Sequence, residues 1–375
     1  MDQVRSDKLT ALSLFSGAGG IDIGIRNAGF SILACVERDP FCCETLRTNI
    51  SRESLNTRVI EDDIRNIDPT TLMLGLGLKT GELDLLFGGP PCQAFSQIGK
   101  RLSIQDERGM LLFEMPRFAK VFHPKVVLIE QVKGLFNAHD HEGVVGGVFT
   151  MILRDLEELG YKTKWQLMLA ADYGVPQMRQ RVFIVATRED VCFNFPDPTH
   201  SSVNDAKPLF DLSIHRTVGD VIFNLPTPAS RDNYDAEDSH IDITPAGDRY
   251  RIHGVPEGSH LAAQHHLPVE QRQNLTKKDT TKFRRMSRTI PAITLRCGEV
   301  FFHPTEDRYL TVREYMRIHT YPDTYILKGA IRGRSGQVKN LDQYRQIANS
   351  VPPLLAEHLG RAIMECLQSE RAIYR

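Results

Sequence analysis

One cysteine stands in unusual company. In the run Gly88-Gly89-Pro90-Pro91-Cys92, two glycines permit a tight backbone path and two prolines restrict the approach, so one thiol is delivered at a defined place. A thiolate is a strong nucleophile, but it needs partners that stabilise the charge its attack creates. Glu130 is one candidate, at the end of the apolar run 126–129, where a sheet presents side chains to a ligand. Arg179 and Arg181, in Gln-Met-Arg-Gln-Arg at 177–181, are two residues apart. On an extended strand both point to one face, suited to a phosphate or a carbonyl oxygen. Each has a plainer alternative: a thiol is commonly a small core group, and Glu and Arg commonly meet in structural ion pairs.

A second constellation lies near the start of the chain. In FSGAGG at 15–20, Gly17, Gly19 and Gly20 let the backbone turn sharply and approach a ligand, and the following helix offers unpaired N–H groups. Glu37 ends the next apolar run, 17 residues beyond Gly20, where a carboxylate can accept both hydroxyls of a ribose. Asp63 follows the short run 58–60 and could accept from an adenine amino group, with Ile64 packing on the ring. Solvent-facing charge is the alternative for both acids.

These residues need a scaffold. Short apolar runs at 9–15, 31–36, 83–87, 126–129 and 182–186 read as strands, with helical patterns between several of them, notably 147–159. Such alternation implies an α/β fold with a doubly wound, mostly parallel sheet, whose ligands bind beyond the carboxyl ends of the strands. After about Val191 the texture changes to clustered prolines and a polar stretch, 230–258, without periodicity. A last helical pattern, 353–367, follows QIANSVPP. We expect a catalytic and cofactor-binding domain at 1–192, a smaller, mostly irregular or β domain at 193–335, and a returning segment at 336–375.

Composition narrows the class. Hydrophobic residues at 41% and charged residues at 25% are ordinary for a globular enzyme. Seven scattered cysteines, without CxxC spacing, resemble neither a disulfide framework nor a zinc site, so no metal is expected. No export signal or long apolar span is visible, so a cytoplasmic, membrane-free location is expected. The net charge of −1 excludes a uniformly basic coat, yet residues 249–296 carry ten Lys or Arg against three acids. That excess is either a solvated face or a phosphate-contacting surface.

Taken in order, FSGAGG, GGPPCQAFS, EQV at 130–132, QMRQR and QIANSVPP resemble the motifs of the DNA cytosine-5 methyltransferase family of bacterial restriction-modification type. RTIPAITLR at 288–296 and REYMRIHTYPD at 313–323 are similar to two further blocks. The resemblance covers nearly the whole chain except about 193–285. It implies a sheet of the S-adenosylmethionine-dependent methyltransferase type and a target-recognition domain at 193–335. It also implies methyl transfer from S-adenosylmethionine, leaving S-adenosylhomocysteine, to carbon 5 of a flipped-out cytosine in a specific duplex sequence. By the same resemblance Cys92 adds to carbon 6, Glu130 stabilises ring nitrogen 3, and Arg179 or Arg181 binds the carbonyl oxygen. Phe15, Gly17, Gly20, Glu37, Asp63, Ile64, Gly89, Pro91, Leu111, Asn349, Ser350 and Val351 form the cofactor pocket. The partner is double-stranded DNA, with a cognate restriction endonuclease acting separately, and the protein is expected as a monomer associated with the nucleoid. Gln131 replaces the family's usual Asn, Ala348 a usual Gly, and His319 a common Gln. A transfer-RNA-modifying branch of the family and a catalytically silent DNA-binding homologue are the alternatives.

Overall fold

The computed structural model describes residues 8–91, 110–140, 142–203, 212–230, 238–263, 267–272, 283–332 and 340–373. The chain divides into two compact units. The first comprises Met1–Leu169, Gln180–Asp197 and Leu355–Arg375, the second Ala170–Arg179 and Pro198–Leu354.

The first unit is built on a seven-stranded sheet. Strands β1 (Thr10–Leu14), β2 (Ser31–Glu37), β3 (Arg58–Glu61), β4 (Leu85–Gly88) and β5 (Val126–Gln131) run parallel. Then come β6 (Lys162–Leu169), β7 (Gln177–Met178), which belongs to the second unit, and β8 (Gln180–Thr187). The sheet order is β3-β2-β1-β4-β5-β8-β6, and β8 is antiparallel to both its neighbours. The runs expected as strands are therefore β1, β2, β4, β5 and β8, with ends moved by a residue or two. A strand buried on both faces reads as an unbroken apolar run, which is why Val-Val-Leu-Ile in β5 showed so clearly.

Alternation decides what each face meets. Leu12 and Leu14 of β1, with Ala34 and Val36 of β2, share a core with α3 (Pro69–Gly75), α4 (Glu114–Phe122) and α5 (Gly147–Glu158), whose Phe118, Phe122 and Ile152 are fully buried. The intervening Ser13 and Cys35 point the other way. There they meet α1 (Gly20–Asn27), and Cys35 Sγ donates to Asp22 of that helix. The C-terminal helix Pro353–Ile373 packs on α1 so closely that a Cβ at Gly360 would lie 2.8 Å from that of Ala28. Helix starts follow local chemistry. Asp39 accepts from the N–H groups of Phe41 and Cys42 to begin α2 (Pro40–Arg52), and Asp68 caps α3 in the same way.

The second unit is largely irregular. Its strands come in short parallel pairs: His200–Ser201 with Ser213–Ile214, Phe283–Arg285 with Val300–Phe302, and Ala292–Ile293 with β7. Ion pairs organise it, notably the buried Arg308 with Glu314 at 2.7 Å and Arg285 with the half-exposed Asp307 at 2.7 Å. The units cut the chain differently from the expected 1–192, 193–335 and 336–375. Residues 170–179 and 336–354 go with the second unit, and the return to the first starts at Leu355. The reason is hydrogen bonding: residues around Gln177 pair with Ala292 and Ile293 rather than with the large sheet.

Candidate active site

Glu130 occupies the penultimate position of β5. Its Oε1 forms an ion pair with Arg181, 2.7 Å from Nε, and Arg181 lies at the start of β8, across from Met168 of β6. The loop leaving β4 crosses this carboxylate. A Cβ at Gly89 would fall 2.9 Å from Glu130 Oε2, so only glycine passes there without displacing the acid. Gly88 is as constrained, since a Cβ there would fall 2.5 Å from the Leu14 carbonyl oxygen. Next to Glu130, the buried Gln131 donates from Nε2 to the Pro90 carbonyl at 2.7 Å. The two prolines are thus anchored to β5 immediately before Cys92. Cys92 itself lies outside the described residues.

The two arginines do not share a face. The extended chain breaks between β7 and β8, and Arg179 sits at the break. Its buried guanidinium donates to three main-chain carbonyls of the second unit: Leu295 at 3.2 Å, Ala348 at 2.9 Å and Ser350 at 2.8 Å. Gln177 acts beside it. Its Oε1 accepts from Leu295 N, and its Nε2 lies 2.9 Å from Nδ1 of the buried His319. His319 Nε2 reaches Ser350 O at 3.2 Å, so its Nδ1 accepts and its Nε2–H donates. Arg181 alone, therefore, stands at the carboxylate.

The glycine loop is tightly specified. Phe15, Gly17 and Gly19 all have left-handed backbones, with φ of 56°, 53° and 78°. Glu37 ties this loop to β2. Oε2 accepts from Gly17 N at 2.8 Å, and Oε1 accepts from Arg38 N at 2.9 Å and Asp39 N at 2.8 Å. Burial pushes the Glu37 carboxyl above its ordinary value, against these three N–H groups. A carboxylate has about four acceptor positions, so one remains for a ligand. The Gly17 Cα faces open space, with nothing within 4 Å of an added Cβ. A nucleoside seated on Glu37 with its chain along Gly17 fits this cradle. Asp63 is less free, because Arg65 grips both its oxygens and Arg38 lies 3.5 Å away. The Arg65 hydrogen bonds hold its carboxyl at about 2. Ile64 and Leu111 are buried in the core of the first unit.

Asn349, Ser350 and Val351 lie in the second unit, at the end of the helix Gln343–Asn349. Asn349 Oδ1 accepts from Cys297 Sγ at 2.8 Å. The basic stretch is more balanced than its composition implied. Arg249, Arg251, Arg285, Arg288 and Arg296 each pair with an acid of their own unit. Sequence reasoning missed Asp22 and the structural role of Gln177, which was visible only as a motif letter beside the arginines. Gln131 stood out as a departure bearing on how the Pro91-Cys92 loop is held, and its contact with Pro90 supplies the means.

The family model for C-5 cytosine-specific DNA methylases matches residues 9–365. The chain belongs to this family. It is a DNA (cytosine-5) methyltransferase. Type II methyltransferase M.PspPI of Psychrobacter sp. is 35% identical, over 97% of this chain and 81% of its own length. M.Eco47II of Escherichia coli is 32% identical, over 97% and 81%. M.AquIA of Picosynechococcus sp. reaches 43% over 58% of this chain and 90% of its own length. Among solved structures, a prophage-encoded DNA modification methyltransferase from E. coli gives a TM-score of 0.72 at 20% identity, covering 96% of this chain and all of the other. The fold is thus the S-adenosylmethionine-dependent methyltransferase sheet, and the methylase acts on cytosine in specific DNA sequences. Two of its departures from the family pattern now have a structural account. Gln131 is long enough to reach Pro90, and His319 bridges Gln177 to Ser350. Among the described residues no group of side chains could hold a metal ion, and no helix is long and apolar enough to cross a membrane.

Proposed function

We propose that Cys92 attacks carbon 6 of a cytosine extruded from duplex DNA, with Glu130 and Arg181 as its working partners. Carbon 5 of the intact ring is a poor nucleophile, and covalent addition at carbon 6 turns it into an enamine carbon. Electron density then moves toward ring nitrogen 3 and oxygen 2. Glu130 meets the nitrogen with a proton, and Arg181, held on Oε1, keeps that carboxyl oriented and offers its remaining N–H groups to the oxygen. Gln131 fixes the Pro90-Pro91 segment that leads into the nucleophile. A base then removes the carbon 5 proton, and the Cys92–carbon 6 bond breaks. Extrusion costs a few kcal/mol, because the faces of a stacked base are covered.

S-adenosylmethionine supplies the electrophilic methyl group. Glu37 would take its ribose, the loop at Phe15, Gly17 and Gly20 its amino-acid portion, and Ile64, Leu111, Gly89 and Pro91 the adenine and sulfur side. Asn349, Ser350 and Val351 are assigned to the same ligand by the family resemblance. Arg179 is a positioning residue that holds the segment carrying them. We assign base readout to the second unit, and a separately acting cognate endonuclease, a monomeric state and work in the bacterial cytoplasm complete the reading.

The observation that carries this reading is the Arg181–Glu130–Gly89 stack beside the anchored prolines. Incubation with labelled S-adenosylmethionine and either duplex DNA or transfer RNA, followed by base analysis, should place label on DNA cytosine alone. DNA containing 5-fluorocytosine should trap the wild type covalently and spare Cys92→Ser. A trapped Ser variant would remove Cys92 from its role.

A further inference from the structure

Beneath the glycine loop lies a polar cluster that no catalytic step uses. Ser13 of β1 and Cys35 of β2 are register partners, so their side chains emerge together on the face covered by α1. Asp22, in the first turn of α1, lies over them and is 5% exposed. Its Oδ1 accepts from Cys35 Sγ at 3.2 Å, and the Ser13 hydroxyl on the same face favours the ionised carboxyl. Ser13 Oγ is in turn 2.8 Å from Ser16 Oγ, and Ser16 is the residue between Phe15 and Gly17. Asp22 Oδ2 is buried and has no protein partner among the described residues. An ionised carboxylate in such a place would be costly without a cation in contact, and burial raises this carboxyl above its ordinary value.

The backbone above explains why support is needed there. Phe15 adopts a left-handed conformation that a bulky side chain rarely tolerates, and Gly17 and Gly19 follow in the same region. Glu37 holds one side of this loop through Gly17 N. The other side rests on Ser16, whose N–H donates to Val36 O and whose carbonyl accepts from Gly19 N. The hydroxyl of Ser16 is the only side-chain handle the loop offers between Phe15 and Gly19.

We propose that Asp22 is a positioning residue for cofactor binding: through Ser13 and Ser16 it fixes the Phe15–Gly19 backbone in the shape that receives S-adenosylmethionine. It acts by holding the loop and touches neither substrate. This rests on the assignment of the glycine loop to the cofactor.

The test is steady-state methylation with separate KM values for S-adenosylmethionine and DNA. Asp22→Leu should raise the cofactor KM about five- to tenfold and Ser16→Ala about threefold, as expected for lost hydrogen bonds. The DNA KM and kcat should stay within about twofold. Asp22→Asn keeps the side-chain oxygen that accepts from Cys35, so it should stay close to wild type. If Asp22→Leu does not fold, Ser16→Ala decides alone, since it leaves the helix untouched. An unchanged cofactor KM in Ser16→Ala overturns the proposal. So does an Asp22→Asn as impaired as Asp22→Leu, or a loss spread evenly over both KM values and kcat. Glu37→Ala separates the two layers. If it weakens cofactor binding while Ser16→Ala and Asp22→Leu do not, only the role of Asp22 fails. If none of the three does, the loop is not the cofactor site.

Discussion

Restoring the family's usual Asn at position 131 should damage this enzyme. Gln131 is 2% exposed and spans from β5 to the Pro90 carbonyl with a 2.7 Å hydrogen bond. Asn is shorter by one methylene, about 1.5 Å of reach, so the contact would open to roughly 4 Å, beyond hydrogen-bonding distance. Pro90 is buried, and its carbonyl would lose its partner. A lost neutral hydrogen bond costs about 0.5–1.5 kcal/mol, and an unsatisfied buried acceptor about 1–3 kcal/mol. We therefore expect Gln131→Asn to lose about 1–3 kcal/mol in urea unfolding. Because the freed segment leads directly into Cys92, a shift of about 1 Å in the thiol could lower the methylation rate as much as 100-fold. Single-turnover methylation, with enzyme in excess over a duplex carrying the target site, reads that rate directly. A Gln131→Asn protein as stable and as fast as wild type would refute the idea that this amide anchors the loop.

Arg181→Ala should cut kcat by at least about 100-fold, since it removes the group that orients Glu130; stopped assays on hemimethylated duplex would show it. Arg179→Lys should instead destabilise, by roughly 2–4 kcal/mol, because one ammonium cannot serve the Leu295, Ala348 and Ser350 carbonyls together; thermal unfolding measures it. Gly88→Ala should cost about 1–3 kcal/mol or more through overlap with Leu14 O, again by denaturant unfolding. Asp63, held at about 2 by Arg65, contributes stability that is present above the ordinary carboxylate value and is lost as pH falls through about 2. Asp63→Asn should therefore flatten the acid limb of the stability curve between about pH 4 and 2.

Much of the first unit was legible because its information is local. Apolar runs bounded by turn residues located β1, β2, β4, β5 and β8, and Gly147–Glu158 ended one residue short of expectation. What misled was the step from spacing to direction. A separation of two implies a common face only along an unbroken strand. Arg179 sits where β7 leaves for the second unit and β8 joins the sheet, so its side chain follows the former and that of Arg181 the latter. The charge excess at 249–296 was legible, but the pairing of half of it was not. Its acids lie elsewhere in sequence, as with Arg285 and Asp307 or Arg249 and Asp242. Asp22 was illegible because a buried carboxyl in a helix has no pattern of its own. Its meaning comes from Ser13 and Cys35, which only strand register brings together.

The C-terminal helix has a consequence for the order of events at the ribosome. Ile25 of α1 and Ala28 at its C-cap lie against Gly360 of a helix that is made long after them. Between Asp197 and Leu355 the whole of Pro198–Leu354 must be synthesised, which at about 5–20 residues per second takes roughly 8–30 s. Through that interval the nascent first unit carries an open apolar seam along α1. Chaperone capture during translation, and aggregation of products truncated before Leu355, follow from that delay.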